Sequence, residues 1–230
     1  DRYGVPSEVI RELLDGARKD FDELTASASQ TPTLALQRAR LDRLLAGLYD
    51  SAGDAVQHKA MAERALDALA RISTERRLDS PGTWLARLPS ADGVEMERLL
   101  SLSGRAQAMF AQGDAAGATL ILTRLAGQAD ALGARADGPA ARSIAAQARS
   151  QLARIHYEAG DLDAALKQLR DAAQILTRGG GGDQPDPAEL ARLRSEEAEM
   201  LLELGQHAQA HLQDVLGPLA QRRNADRHHV

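Results

Sequence analysis

The sequence predicts an all-α protein made of antiparallel helical hairpins stacked side by side. Apolar residues recur at helical spacing along most of the 230 residues. No run of strand length alternates apolar and polar residues. Short glycine-centred breaks separate the helical segments at Gly53-Asp54, Gly113-Asp114, Gly160-Asp161 and Gly205-Gln206. Because so short a break leaves no room for a crossing connection, the two helices on either side lie antiparallel and in contact.

The clearest hairpin runs from Gln147 to Arg178. Its apolar positions are Leu152, Ile155 and Ala159 before the turn, and Leu162, Ala165, Leu166, Leu169, Ala172, Ala173 and Leu176 after it. Neither helix can bury its stripe alone, so the hairpin needs neighbours. The rest of the chain repeats this unit in looser form, which indicates a stacked array.

The other helices follow the same reasoning. An amphipathic helix is predicted over residues 5–28, with the apolar stripe Val9, Ile10, Leu13, Leu14, Ala17, Phe21 and Leu24. Further helices are predicted over 33–52 and from the Gly53-Asp54 turn to about 72, with Leu48 and Val56 among their apolar contacts. Helices over 94–112, from Gly113-Asp114 to about 136, and around Gly205 complete the set; Leu190, Leu193, Leu201, Leu202 and Leu204 are expected contacts in the last pair.

These patterns predict three parts. Residues 1–30 form an N-terminal amphipathic helix that packs on the array. Residues 31–223 form the array, with hairpins at about 33–72, 94–136, 139–178 and 187–220 and an irregular connector at 73–93 that Pro81, Gly82, Pro89 and Gly93 punctuate. Residues 224–230 form a tail.

Composition narrows the function classes. Aromatic residues are only 3%, so the core must consist of Leu, Ala, Ile and Val. The net charge is −5 and the arginines are interleaved with acids, which argues against nucleic-acid binding. There is no cysteine, which excludes disulfides, thiolate metal sites and thiol catalysis. No apolar run reaches the ~18 residues of a membrane helix. We therefore expect a cytoplasmic protein with no membrane partner, and the start at Asp1 leads us to expect a piece of a longer chain.

The motif L-A-x-x-H-Y-x-x-G-D-x-x-x-A-L, from Leu152 to Leu166, resembles a tetratricopeptide repeat. The weaker matches in the other units are Ala106, Gly113, Asp114 and Ala118; Leu45, Ala46, Tyr49, Gly53, Asp54 and Ala65; and Ala198, Gly205 and Ala210. The likeness covers most of residues 33–220, with departures at His156, Thr177 and His58. It implies a right-handed solenoid that binds proteins or peptides.

The pattern A-L-Q-R-A-R-L-x-x-L-L-x-x-L-Y-x-x-x-G-D, from Ala35 to Asp54, is similar to repeat arrays in bacterial signalling and defence effectors. Such arrays often follow a TIR-type, caspase-like or nucleotide-triphosphatase domain of the STAND kind. The resemblance implies a module of a bacterial multidomain protein.

The sequence carries no motif for chemistry. Gly179 to Gly182 lacks the preceding strand and the following Lys of a phosphate loop, so a flexible linker is the better interpretation. His207 and His211 share a helical spacing with Glu203, but Gly205 falls between them, and packing is the better interpretation than a metal site. We expect no catalytic residue, metal or cofactor, and no enzyme activity.

The repeat resemblance implies a candidate partner-binding set. In that family the first helix of each hairpin lines a concave groove at its second, fifth, ninth and twelfth repeat positions. Carried over, these positions nominate Arg40, Arg43, Gln107, Phe110, Arg154, Tyr157, Arg192 and Glu199. Arginine binds carboxylates and stacks on rings, so an acidic or aromatic peptide is the expected ligand. A solvated arginine-rich face is the equally weighted alternative.

The sequence therefore predicts a non-catalytic protein–protein interaction scaffold. Two other classes stay open. A regulatory sensor would bind a ligand or signal protein and control an attached enzyme, and a pocket closed on several sides would favour it. A homo-oligomerisation module would leave the stripe of the N-terminal helix exposed in the monomer.

Overall fold

The protein is all-helical throughout the part of the chain that its structure, a computed structural model, describes: residues 7–26, 31–78, 90–136, 138–177 and 187–205. In chain order the helices are α1 (Ser7–Ala26), α2 (Pro32–Ser51), α3 (Ala55–Leu78), α4 (Ala91–Ala111), α5 (Ala115–Ala136), α6 (Pro139–Glu158), α7 (Leu162–Thr177) and α8 (residues 187–205). Successive helices pack against their neighbours, and the described residues fall into two compact units on either side of the Gln151–Leu152 bond.

Three hairpin turns have the same construction. At the first, the Gly53 N–H donates to the Asp50 carbonyl over 2.9 Å and the Asp54 N–H to the Tyr49 carbonyl over 2.8 Å. Together these bonds satisfy two of the carbonyls that the end of α2 leaves open. The Asp54 carboxylate then accepts from the Gln57 N–H at the start of α3, over 3.0 Å. One Gly-Asp pair thus ends one helix and begins the next.

The other two turns repeat this geometry residue for residue. Gly113 and Gly160 take the Gly53 role, and Asp114 and Asp161 cap the following helices. All three glycines adopt positive φ, at 72°, 87° and 79°. Residues with a Cβ adopt this region at a cost, so the sequence signal and the backbone geometry have the same cause.

The core consists of leucine and small alanine side chains. Tyr49, Leu69, Ile72, Leu99, Leu122, Leu125, Leu132, Leu169 and Leu193 are the largest fully buried apolar residues. Many alanines are wholly buried beside them, which lets helices approach closely without aromatic filler. The predicted stripe of α7 is buried at Ala165, Leu166, Leu169, Ala172 and Leu176.

Several predicted contacts are wrong. Leu48 and Val56 are 50% and 68% exposed, and on α8 Leu201 and Leu202 are 44% and 68% exposed. Ala159 is also exposed. Helical periodicity shows which residues share a face of one helix, but it does not show how far a neighbouring helix covers that face.

The stripe of α1 is only partly buried. Leu14 packs on Leu45, Ala46, Tyr49 and Met61, whereas Val9 and Leu13 are 42% and 68% exposed. Polar contacts supply much of the docking: the Tyr49 hydroxyl donates to Asp15 over 2.6 Å and Arg18 donates to Gln57 over 3.2 Å. Apolar surface on α1 is therefore left without cover.

The expected irregular connector at 73–93 is helical at both ends, because α3 continues to Leu78 and α4 begins at Ala91. Ser90 caps α4 by accepting from the Gly93 N–H over 3.0 Å, so Gly93 lies in a first helical turn and does not break the chain. Gly205 is the last helical residue of α8 that the structure describes, so the turn predicted at Gly205-Gln206 stays a prediction. Trp84, the linker at 179–182, His207, His211 and the tail lie outside the described residues.

The turn geometry predicts opposite effects for two glycine-to-alanine changes. Gly113→Ala is expected to destabilise the protein by about 1–2 kcal/mol, because an alanine at this position would have to adopt the left-handed backbone conformation. No atom lies close enough to clash with the new Cβ, so backbone strain is the only expected cause. Gly127→Ala, at an exposed position inside α5, is expected to stabilise it by about 0.5–1 kcal/mol. Urea unfolding of both variants measures the difference. Equal effects of the two substitutions would contradict the role assigned to the turn.

Candidate interaction surface

The first helices of successive hairpins contact each other directly. On α2, Arg43 donates to Glu97 of α4, and further along Asp50 accepts from Gln107 of α4 over 2.9 Å. Because the residue numbers increase in the same direction on both helices, α2 and α4 run parallel. We call the side of α2 and α4 that carries Arg40, Arg43, Asp50 and Gln107 the first-helix surface.

A buried carboxylate organises one end of this surface. The Glu97 side chain is 6% exposed and lies between two arginines. Arg43 Nε bonds one of its oxygens, and Arg40 Nε lies 3.6 Å from the other. Arg40 is still 46% exposed, so its remaining N–H groups face solvent. Glu97 therefore orients two guanidinium groups and leaves one of them accessible to an anionic partner.

A buried histidine supports the other end. His58 of α3 is 3% exposed, and its Nδ1 lies 3.1 Å from Asp50 Oδ1, to which the neutral ring donates. Burial lowers the pKa of His58, and the nearby Asp50 charge opposes this in part. A Cβ at position 104 would lie 3.3 Å from His58 Nε2, so Gly104 gives the ring its space. Asp50 is thus fixed by two partners, His58 and Gln107.

The four nominated residues of this unit have different environments. Arg40 and Arg43 meet at Glu97, and Gln107 is bound to Asp50. Phe110 lies further along α4 and is half-buried. Arg40 and Arg43 thus already share an internal carboxylate, and Arg40 is the more exposed of the two.

Three of the four nominated residues after Leu152 also have a partner within their own unit. The Tyr157 hydroxyl donates to Glu203 of α8 over 2.6 Å, and this bond raises the pKa of Tyr157, with a smaller contribution from the charge of Glu199. Arg154 and Arg192 pair with the acids four residues later on their own helices, Glu158 and Glu196. The structure thus places Tyr157 and Glu199 near each other; their binding of a partner stays a prediction.

A second polar cluster joins α1, α2 and α3. Asp22 of α1 accepts from Arg38 of α2 over 3.0 Å and from Arg64 of α3 over 2.6 Å, and the Arg64 hydrogen bond lowers its pKa. Asp42 of α2 is 1% exposed, and its Oδ1 lies 3.6 Å from Arg64 Nη2. Burial raises the pKa of Asp42, while the charges of Arg64 and Arg38 oppose that rise.

The sequence reasoning missed Asp42, Asp50 and Glu97. Asp42 lies three residues before Leu45, on the buried face of α2, and Glu97 lies three residues after Val94, on the buried face of α4. The sequence does carry a signal for Asp42 and Glu97, because each places a charged residue at a position where the helical spacing of the buried face predicts an apolar one. The sequence could not show which arginines would come to meet it.

No protein-family model matches the chain. A comparison with curated proteins also finds no match. In the part of the chain that the structure describes, no group of three or more His, Asp or Glu side chains is placed to hold a metal ion. None of the described helices combines the length and apolar character needed to cross a membrane.

The lowered pKa of His58 predicts a loss of stability in mild acid. As pH falls through about 6.5, the unfolded chain takes up a proton on His58 before the folded chain does, so the free energy of unfolding falls. Urea unfolding at pH 7.5 and pH 5.5, on the wild type and on His58→Gln, isolates the effect, because the other groups titrate in both proteins. The wild type is expected to lose more stability than the variant, and an equal or smaller loss would contradict a buried neutral imidazole.

Proposed function

We propose that the chain is a non-catalytic interaction module that binds a peptide or a partner domain on its first-helix surface. The observation that supports this most is the parallel contact of α2 with α4 around buried Glu97. The Glu97 carboxylate holds Arg40 and Arg43 on one face and leaves some of their N–H groups without a hydrogen bond to it. A fixed guanidinium with open N–H groups suits a carboxylate on a partner.

The partner's chemistry follows from the charges on this surface. Arg40 faces solvent beside half-buried Arg43, while Asp50 is bound by His58 and Gln107. The accessible charge at the Arg40 end is therefore positive, although the whole chain has a net charge of −5. An acidic peptide would be attracted to this end in particular.

The proposal also concerns the larger protein. The resemblance to repeat arrays of bacterial signalling and defence effectors makes a domain of the same longer protein one candidate partner. In that arrangement the array would be a cytoplasmic scaffold for an attached effector. The resemblance to the tetratricopeptide repeat supports the same class, because arrays of that family bind peptides in a groove formed by their first helices.

Self-association through α1 is a second candidate. The exposed Val9 and Leu13 favour it, since an uncovered apolar stripe is a common feature of oligomer interfaces. Under this alternative the partner is a second copy of the chain.

A matched pair of arginine variants tests the proposal. Arg40→Ala removes the accessible guanidinium, while Arg43 keeps Glu97 paired; Arg124→Ala removes an exposed arginine from α5, a second helix. Tagged wild type and both variants are incubated with cell extract, and the retained proteins are identified by mass spectrometry and then titrated individually. We expect Arg40→Ala to weaken a specific partner by at least about tenfold, the loss of one charge-assisted bond, and Arg124→Ala to leave binding unchanged.

Circular dichroism of both variants provides the folding control. Equal binding by all three proteins would overturn the assignment of the surface. Retention of untagged copies of the same chain, unaffected by Arg40→Ala, would support self-association in its place.

A further inference from the structure

Helix α1 covers one face of α2 and α3 with little apolar burial. Among the side chains of α1 that the structure describes, Leu14 is the only one that is buried. It packs on Leu45, Tyr49 and Met61. By contrast, α2 and α3 bury leucine, isoleucine and alanine side chains together in a shared cluster. The apolar contribution that holds α1 in place is therefore small.

Two carboxylates of α1 provide much of its remaining contact with the array. Asp15 accepts a hydrogen bond from the Tyr49 hydroxyl over 2.6 Å. Asp22 accepts one from Arg38 of α2 over 3.0 Å and one from Arg64 of α3 over 2.6 Å. A separation of seven residues is about two helical turns, so both carboxylates lie on the same face of α1. The array thus binds a particular spacing of negative charge.

The ion pairs of Asp22 are open to solvent. Its side chain is 36% exposed, and those of Arg38 and Arg64 are 30% and 29% exposed. The hydrogen bond from Arg64 lowers the pKa of Asp22, so this carboxylate is charged at neutral pH. Ion pairs that water and salt can reach each contribute little to the free energy of docking. A partner with the same charges can therefore compete with α1 for these arginines.

The chemistry of the face under α1 determines which partner can take its place. Without α1, the Tyr49 hydroxyl would lose its acceptor, the two arginines would lose their carboxylate, and Leu45 and Met61 would lose the cover of Leu14. A replacement restores all of these contacts only if it carries a leucine and two carboxylates at the same helical spacing. Helix α1 itself is acidic, with six Asp or Glu residues and three Arg or Lys residues.

We propose that the face of α2 and α3 under α1, which we call the α1-docking face, binds an acidic amphipathic helix of a partner protein. Helix α1 occupies this face as an internal competitor, and binding of the partner releases it. The partner helix carries a leucine and two carboxylates at the positions that Leu14, Asp15 and Asp22 have in α1. The α1-docking face does not include the residues that define the first-helix surface, so the two proposals can be tested separately.

A synthetic peptide with the sequence of residues 7–26 tests the proposal, because it carries the required groups at the required spacing. Fluorescence anisotropy measures the binding of the labelled peptide to the full chain. Asp22→Asn in the chain weakens the internal competitor. We therefore expect this chain to bind the peptide at least about fivefold more tightly than the wild type, which corresponds to the loss of one part-exposed ion pair.

Two further chain variants and two variant peptides complete the design. Asp15→Asn in the chain is expected to raise the affinity for the peptide as well, and because Asp15 is exposed, this chain is expected to fold even if Asp22→Asn does not. Asp20→Asn is the matched control, since it makes the same chemical change at an exposed position of α1, and it is expected to leave the affinity unchanged. In the peptide, Asp22→Asn is expected to weaken binding at least about fivefold, and Asp20→Asn is expected to have no effect.

Two results of these titrations would overturn the proposal. One is the absence of peptide binding to a folded Asp22→Asn or Asp15→Asn chain, as judged by circular dichroism. The other is equal affinity of these chains, the Asp20→Asn chain and the wild type for the peptide.

Hydrogen–deuterium exchange distinguishes displacement of α1 from association with its exposed side. An isotope-labelled peptide keeps its own fragments distinct from those of the chain in mass spectrometry. We expect the bound peptide to speed exchange in the chain's own α1, because a free helix of 20 residues is only marginally stable in water, and to leave α4 and α5 unchanged. A peptide that binds and leaves the exchange of α1 unchanged or slower would overturn the proposal and would indicate association with Val9 and Leu13.

Discussion

The Gly-Asp turn is the constraint on which the rest of this structure depends. In each of three hairpins a left-handed glycine closes the last turn of one helix, and the next residue, an aspartate, caps the following helix. Because two adjacent residues end one helix and cap the next, the connection between the helices is very short. The two helices must therefore lie antiparallel and in contact. The alanine-rich stripes then meet at short range, and this explains how a chain with 3% aromatic residues buries a core of leucine and alanine side chains.

Fixed hairpins also determine which helices meet beyond the hairpin. The pairs Arg43–Glu97 and Asp50–Gln107 join α2 to α4. Between α4 and α6, Gln151 donates a hydrogen bond to the Ser103 hydroxyl over 3.2 Å. Leucine and alanine packing tolerates small sliding movements, whereas a buried carboxylate is costly in any position that separates it from its cation. We infer that these polar pairs set the register between first helices. The same residues hold Arg40 at the surface.

Sequence reasoning predicted the helices and turns well because their signals are local. Helical spacing and the Gly-Asp pair depend on residues within a few positions of each other, so α2, α5, α6 and α7 lie close to their predicted limits. Coverage by a neighbour is not local, and this is why Leu13, Leu48 and Val56 were expected to be contacts and are exposed.

The candidate site was predictable in part. The repeat spacing pointed to Arg40, Arg43 and Gln107, but their acid partners Glu97 and Asp50 come from other helices or from unnominated positions. A cavity lined by Arg38, Asp42, Arg64 and Arg71 lies between two helices, α2 and α3, and no motif in the sequence indicates it.

The parallel contact of α2 with α4 is the central claim, and cross-linking tests it most directly. The chain has no cysteine, so cysteines placed at Asp50 and Gln107 are the only thiols. A bismaleimide with a short spacer should join them within one chain, since the native side chains approach to 2.9 Å. We expect an intramolecular product in high yield from the double variant, found by peptide mass spectrometry after proteolysis, and none from either single variant. Double-variant chains that keep native helicity by circular dichroism yet give only singly labelled chains or cross-linked dimers would contradict the arrangement of the first helices.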